Sequence, residues 1–169
     1  MTDEIVRTDH DAVLEVSIMA STVAGQEQNP VSERHHNVLL LSCMDLRLLD
    51  EIVAYMDGRN LTDRYDHVIL AGAALGVMSP ATPHWGQTFW DHLVLARELH
   101  DIAEVHILEH RDCGAYRKLL GLDFTGDPDA EALKHAEFAN MLRSRIAREY
   151  PTLAVRCLLM DLDGRVSTL

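Results

Sequence analysis

The stretch NVLLLSCMDLRLLDE, residues 37–51, changes character at its midpoint. Asn37 to Cys43 is a continuous apolar run, the pattern of a strand covered on both faces. Leu48 to Met56 returns to helical spacing and ends before Asp57-Gly58. Between the two lie Cys43, Asp45 and Arg47: a thiol, a carboxylate and a guanidinium at the end of a buried strand, where packing alone has no use for them.

The same alternation runs outward in both directions. On the N-terminal side, residues 9–24 carry Val13, Val16 and Ala20 at helical spacing and read as an amphipathic helix, followed by a polar loop with Gly25 and Pro30. On the C-terminal side, a second strand runs from Asp66 to about Leu70 into a glycine-rich bend at Gly72 and Gly76, and MSPATPHWG reads as loop. Gln87 to His100 is a helix with Phe89, Trp90, Leu93, Val94, Ala96 and Leu99 facing inward. Ala103 to His110 is a third strand, Cys113 to Leu120 a short helix, and Ala130 to Tyr150 a long one with Pro128 at its start. Pro151 ends that helix, and a strand, an Asp-Gly turn and a short final strand complete the chain. Strands alternating with helices predict an α/β fold, with a mostly parallel central sheet flanked by helices and right-handed crossovers. In such sheets ligands bind beyond the carboxyl ends of the strands.

The chain's 169 residues, 47% of them apolar, suit a single globular domain spanning 1–169 with an N-terminal helical arm over about 1–25. A net charge of −12 argues against nucleic acid and against an anionic membrane surface, leaving small molecules, cations or a second copy of the chain as partners. No apolar run approaches the length of a membrane span. MTDEIVRTDHD lacks the basic and apolar regions of a secretory signal, so the expected compartment is the cytoplasm, where thiols stay reduced. Three cysteines, an odd number, do not suggest a disulfide framework.

Two strand ends converge in this scheme. The first delivers Cys43 to the carboxyl edge of the sheet; the third delivers His110 to the same edge, with Cys113 three residues on. Two thiolates and one imidazole select zinc over magnesium or calcium, and three protein ligands leave a position for chemistry. Asp45 could orient a zinc-bound water, accept its proton or ligate the metal itself, and Arg47 could hold Asp45 through a bidentate pair.

CMDLR (43–47) after one buried strand and HRDCG (110–114) after a later one resemble the β-class carbonic anhydrases, with the likeness running from about Val38 to Leu120. The resemblance implies that Cys43, His110 and Cys113 bind zinc and that Asp45 with Arg47 forms a catalytic dyad. The reaction it implies is attack of a zinc-bound hydroxide on carbon dioxide to give bicarbonate. It also implies that Asp45 can take the fourth zinc position in a closed state. Finally, it implies a homodimer or higher assembly, with the N-terminal helix lying on the partner. The sequence departs from the family pattern at Leu46, where a small hydroxyl residue is usual, at Ile69-Leu70, where Arg-Asn is usual, and at Glu109, where Gly is common. These replacements imply a less polar cleft, suited also to carbonyl sulfide or carbon disulfide. A zinc protein without activity on the same scaffold is a third reading.

Other motifs lead nowhere. HRD at 110–112 matches a kinase catalytic loop, but Arg117 stands where that loop needs Asn. Three residues separate Cys43 from Arg47, too few for a phosphatase loop, and the Gly72/Gly76 bend lacks a Lys-Ser/Thr ending. Cys157, inside AVRCLLM, reads as core; His35 and His36 read as solvated, and His84 beside Trp85 has no motif context.

Overall fold

The computed structural model describes residues 37–169; the helix expected over 9–24 and the histidines at 35 and 36 lie outside them. Five strands form one sheet in the order β2-β1-β3-β4-β5, with β1 Val38–Ser42, β2 Tyr65–Ile69, β3 Glu104–His110, β4 Ala154–Met160 and β5 Val166–Thr168. The first four are mutually parallel and only the β4–β5 pair is antiparallel. That is the expected mostly parallel α/β sheet.

Alternate residues of β1 serve two separate cores. Val38 and Leu40 join Leu108, Leu158 and Met160 beneath α1 (Leu49–Gly58), which contributes Ile52 and Met56. Leu39 and Leu41 join Val105, Ile107 and Cys157 on the opposite face, covered by α3 (Pro83–His100) and α5 (Pro128–Glu149). Strands buried on both sides have no polar face to show, which is why β1 reads as an unbroken apolar run. Cys157 is core, as its surroundings in the sequence suggest. Among the described residues no helix is long and apolar enough to cross a membrane.

The structure departs from the sequence reading between β2 and α3. A short helix, α2 (Ala74–Met78), occupies the segment read as bend and loop, and α3 begins at Pro83, not at Gln87. Proline is favoured in a first helical turn, where its missing N–H has no partner to lose. Gly76 sits within α2 because a Cβ there would come within 2.5 Å of the Ala71 carbonyl oxygen. Its glycine therefore marks a close approach of backbone, not a loop. Along α3, Phe89, Trp90, Leu93 and Ala96 are buried, but Val94 and Leu99 are exposed, against expectation. At about 100° per residue, Val94 falls on the far side from Phe89 and Leu99 on the flank.

One buried carboxylate ties these layers together. Glu109, 1% exposed in β3, accepts hydrogen bonds from the Ala74 N–H (2.9 Å) in α2 and the Tyr116 hydroxyl (3.2 Å) in α4 (Gly114–Leu120). A third comes from His135 Nδ1 (2.8 Å) in α5. Burial of a carboxylate is tolerable only with such a set of donors. Replacing it with an apolar residue strands three donors, each at a cost of about 1–3 kcal/mol. Glu109→Leu is therefore expected to lower the unfolding free energy by about 3 kcal/mol or more, with Glu109→Gln losing less; urea denaturation of the two variants checks this.

Candidate metal centre

Parallel pairing of β1 with β3 places Ser42 opposite Leu108, so both chains leave the sheet at the same edge, Cys43 from one and His110 from the other. After His110 a tight turn through Arg111 and Asp112, the latter with left-handed φ of 54°, leads to Cys113 at the N-cap of α4. The ligand atoms of Cys43, His110 and Cys113 all lie within 4.8 Å of one another. His110 and Cys113 are buried and Cys43 is half-buried.

This donor set fits a divalent ion. The two sulfurs are unbonded and 3.8 Å apart, and sulfurs each about 2.3 Å from a tetrahedral zinc stand about that far from each other. His110 Nδ1 donates to the Arg111 carbonyl at 2.8 Å, which leaves Nε2 as the bare nitrogen. That Nε2 is buried and has no hydrogen-bond partner among the protein's atoms. Cys43 Sγ accepts the Gly72 N–H at 3.2 Å. The hydrogen bond from Cys113, with help from His110 and the Gly72 N–H, draws the Cys43 thiol down to about 4 against the opposing effect of burial. The same thiol–thiolate contact, with burial, pushes Cys113 up. The contact between the two sulfurs thus favours one thiolate in the pair, with the Gly72 N–H and His110 beside it.

Asp45 and Arg47 pair as the spacing suggested. Arg47 Nε donates to Asp45 Oδ1 at 2.9 Å, Nη2 to Oδ2 at 2.8 Å, and the Arg47 backbone N–H to Oδ1 at 3.0 Å. These bonds hold the Asp45 carboxyl at about 2, well below its ordinary value, so it is ionised at any physiological pH. Oδ2 of Asp45 lies 4.0 Å from His110 Nε2, at the margin of the metal-ligand group.

Two neighbours of the site escaped the sequence reading. Asp112 accepts from Arg47 through both its carboxylate and its carbonyl, and Glu131, nearly buried in the first turn of α5, accepts the Asp112 N–H. Asp112 is visible as a letter of HRDC, but nothing in the sequence aims it at Arg47. Glu131 carries no local signal. Glu109 does not line the cleft surface: it is buried, and its carboxylate is taken up by the Ala74 N–H, Tyr116 and His135. Leu46, 92% exposed, and Ile69, 45% exposed, do present apolar surface. His84 is exposed, among the described residues, and the metal-ligand group does not include it.

Comparison with known proteins gives two kinds of likeness, while no family model matches the chain. In sequence, the chain is 34% identical over 158 residues to the uncharacterized protein RC0076 of Rickettsia conorii, covering 94% of this chain and 84% of that one. An uncharacterized protein of Rickettsia bellii is 38% identical over 128 residues, 76% of this chain and 78% of its own length. In structure, the chain is similar to the wild-type β-carbonic anhydrase CafD of Aspergillus fumigatus, with a TM-score of 0.52 at 17% identity over 85% of this chain and 92% of that one. The E54A mutant of CafD gives a TM-score of 0.50 at 17% identity, covering 85% and 91%. The first pair establishes kinship and the second architecture: the chain belongs to the family of the rickettsial RC0076 protein, and its fold is that of the β-carbonic anhydrases.

Proposed function

We propose that this protein is a zinc enzyme that interconverts carbon dioxide and bicarbonate. The observation that carries the reading is the convergence of Cys43, His110 and Cys113, with the bare Nε2 of His110 beside an arginine-held carboxylate. The three side chains would hold the ion, which when bound supplies a Lewis acid able to bring the pKa of water from 15.7 to about 7.

The chain's own residues do the rest. Asp45, ionised and acceptor-only, would take a hydrogen bond from the attacking hydroxide, formed by loss of a proton from water to solvent, and turn that oxygen's lone pair toward the carbon of the substrate. A carboxylate held at about 2 is a poor store for a proton at neutral pH, so its part is orientation. Arg47 fixes both oxygens of Asp45 in one plane. Gly72 N–H donates to Cys43 Sγ and so tempers the charge of that thiolate. The whole chain, 1–169, acts as one domain in the cytoplasm. It pairs with a second copy as a homodimer or larger assembly, with its N-terminal arm on the partner. In support, β2 is an edge strand and exposed Ile69, Leu95 and Leu99 lie on or beside it.

A second reading keeps the metal and changes the substrate to carbonyl sulfide or carbon disulfide. The exposed apolar side chains of Leu46 and Ile69 favour it.

Cys113→Ala is expected to lose zinc and activity together, read by elemental analysis and stopped-flow carbon dioxide hydration. Asp45→Ala is expected to retain stoichiometric zinc while the hydration rate falls by about a hundredfold or more; full activity in that variant would remove Asp45 from the chemistry. A parallel assay of sulfide release separates the substrates: hydration without sulfide supports the first reading, and sulfide release without hydration replaces it with the second.

A further inference from the structure

Arg47 has five N–H donors in a rigid plane. Its Nε and one Nη2 hydrogen go to Asp45; the remaining bonds go elsewhere. Nη1 donates to Asp112 Oδ2 at 2.9 Å, and Nη2 donates to the Asp112 carbonyl at 3.1 Å. The guanidinium is thus shared between an acid of its own loop and an acid of the turn that separates His110 from Cys113.

Asp112 is itself braced. Its left-handed backbone turns the N–H toward α5, where Glu131 Oε1 accepts it at 2.6 Å, and Glu131 is anchored in turn by Arg111 Nη1 at 3.2 Å. Asp112 Oδ1 also accepts from Arg117 at 3.4 Å. The Asp45 carboxylate has no comparable brace: among the described residues its hydrogen bonds all come from Arg47. Yet its Oδ2 stands 4.0 Å from His110 Nε2, close enough to join the ligand group if Arg47 releases it.

We propose that Asp112 is a positioning residue: by gripping Arg47 through its carboxylate and its carbonyl, it keeps the Asp45 carboxylate on the arginine and away from the metal-ligand atoms of Cys43, His110 and Cys113. The inference rests on the zinc-site reading above. It carries a sign that a purely structural role would not. Loss of the Asp112 carboxylate lets Asp45 become an extra ligand, so zinc is held more tightly while turnover falls. Simple damage to the turn would weaken both.

The test is zinc release from the full-length, zinc-loaded chain into excess EDTA, with carbon dioxide hydration measured alongside. Asp112→Gly removes the side chain but keeps the carbonyl and accepts a positive φ. It is expected to slow zinc release and lower the hydration rate, each by about tenfold or more. Asp112→Asn, which keeps an oxygen for Arg47, is expected to fall between D112G and the wild type. D45A and D45A/D112G are expected to release zinc at the same speed as each other, because the extra ligand is then gone. Unchanged or faster release from D112G overturns the proposal, as does slowing that persists in D45A/D112G relative to D45A. If D112G does not fold, D112N decides, since asparagine also tolerates the left-handed region; release at or above the wild-type speed overturns the proposal there. A wild-type chain that takes up no zinc overturns the metal-site reading and this one together. A wild type that binds zinc without hydrating carbon dioxide fails the proposed function only, and the release rates still decide the role of Asp112.

Discussion

The pairing of β1 with β3 is the constraint on which everything else depends. These strands are parallel neighbours at the centre of the sheet, in a register that ends both at one edge. A parallel pair cannot be closed by a hairpin, so 61 residues of crossover, from Cys43 to Ala103, must lie outside the ladder between them. What the long connection achieves is the meeting of Cys43 and His110, far apart in the chain, at a spacing set by backbone hydrogen bonds. Interstrand spacing is among the least compressible distances in a protein, and a candidate metal-ligand group built on it inherits that rigidity.

Around this pair the polar groups form a succession in which each is held by the next. Asp45 is held by Arg47, Arg47 also by Asp112, and Asp112 by Glu131 at the head of the long helix. Exposed ion pairs contribute little singly, and Arg47 and Asp112 are both substantially exposed. Their value here is geometric: a fork-shaped cation with acceptors on two sides has one orientation available to it.

The parts of this arrangement legible in the sequence are those with strong local signatures. The apolar run of β1, the inward residues Phe89, Trp90, Leu93 and Ala96 of α3 and the two Cys/His motifs at strand ends each express a one-dimensional pattern of a three-dimensional need. The start of α3 was obscured because Pro83 and Gly86 resemble loop residues, although one opens the helix and the other meets the Val77 carbonyl where a side chain would not fit. The role of Glu109 was invisible for a different reason. Its three donors come from positions 74, 116 and 135, and no periodicity links them. Read alone, a glutamate beside a candidate metal-ligating histidine belongs to the site; alternation along the strand turns its side chain to the opposite face of the sheet.

The segment after β2 is gripped at two points, the Gly72 amide by the Cys43 sulfur and the Ala74 amide by the Glu109 carboxylate. The two amides are two residues apart and their acceptors sit on adjacent strands, so the interval is a fixed measure. Insertion or deletion of a single residue between them would surrender one acceptor or the other. Length and side chain are therefore constrained together in this segment, because Ala73, between the two amides, is fully buried with a positive φ of 43°.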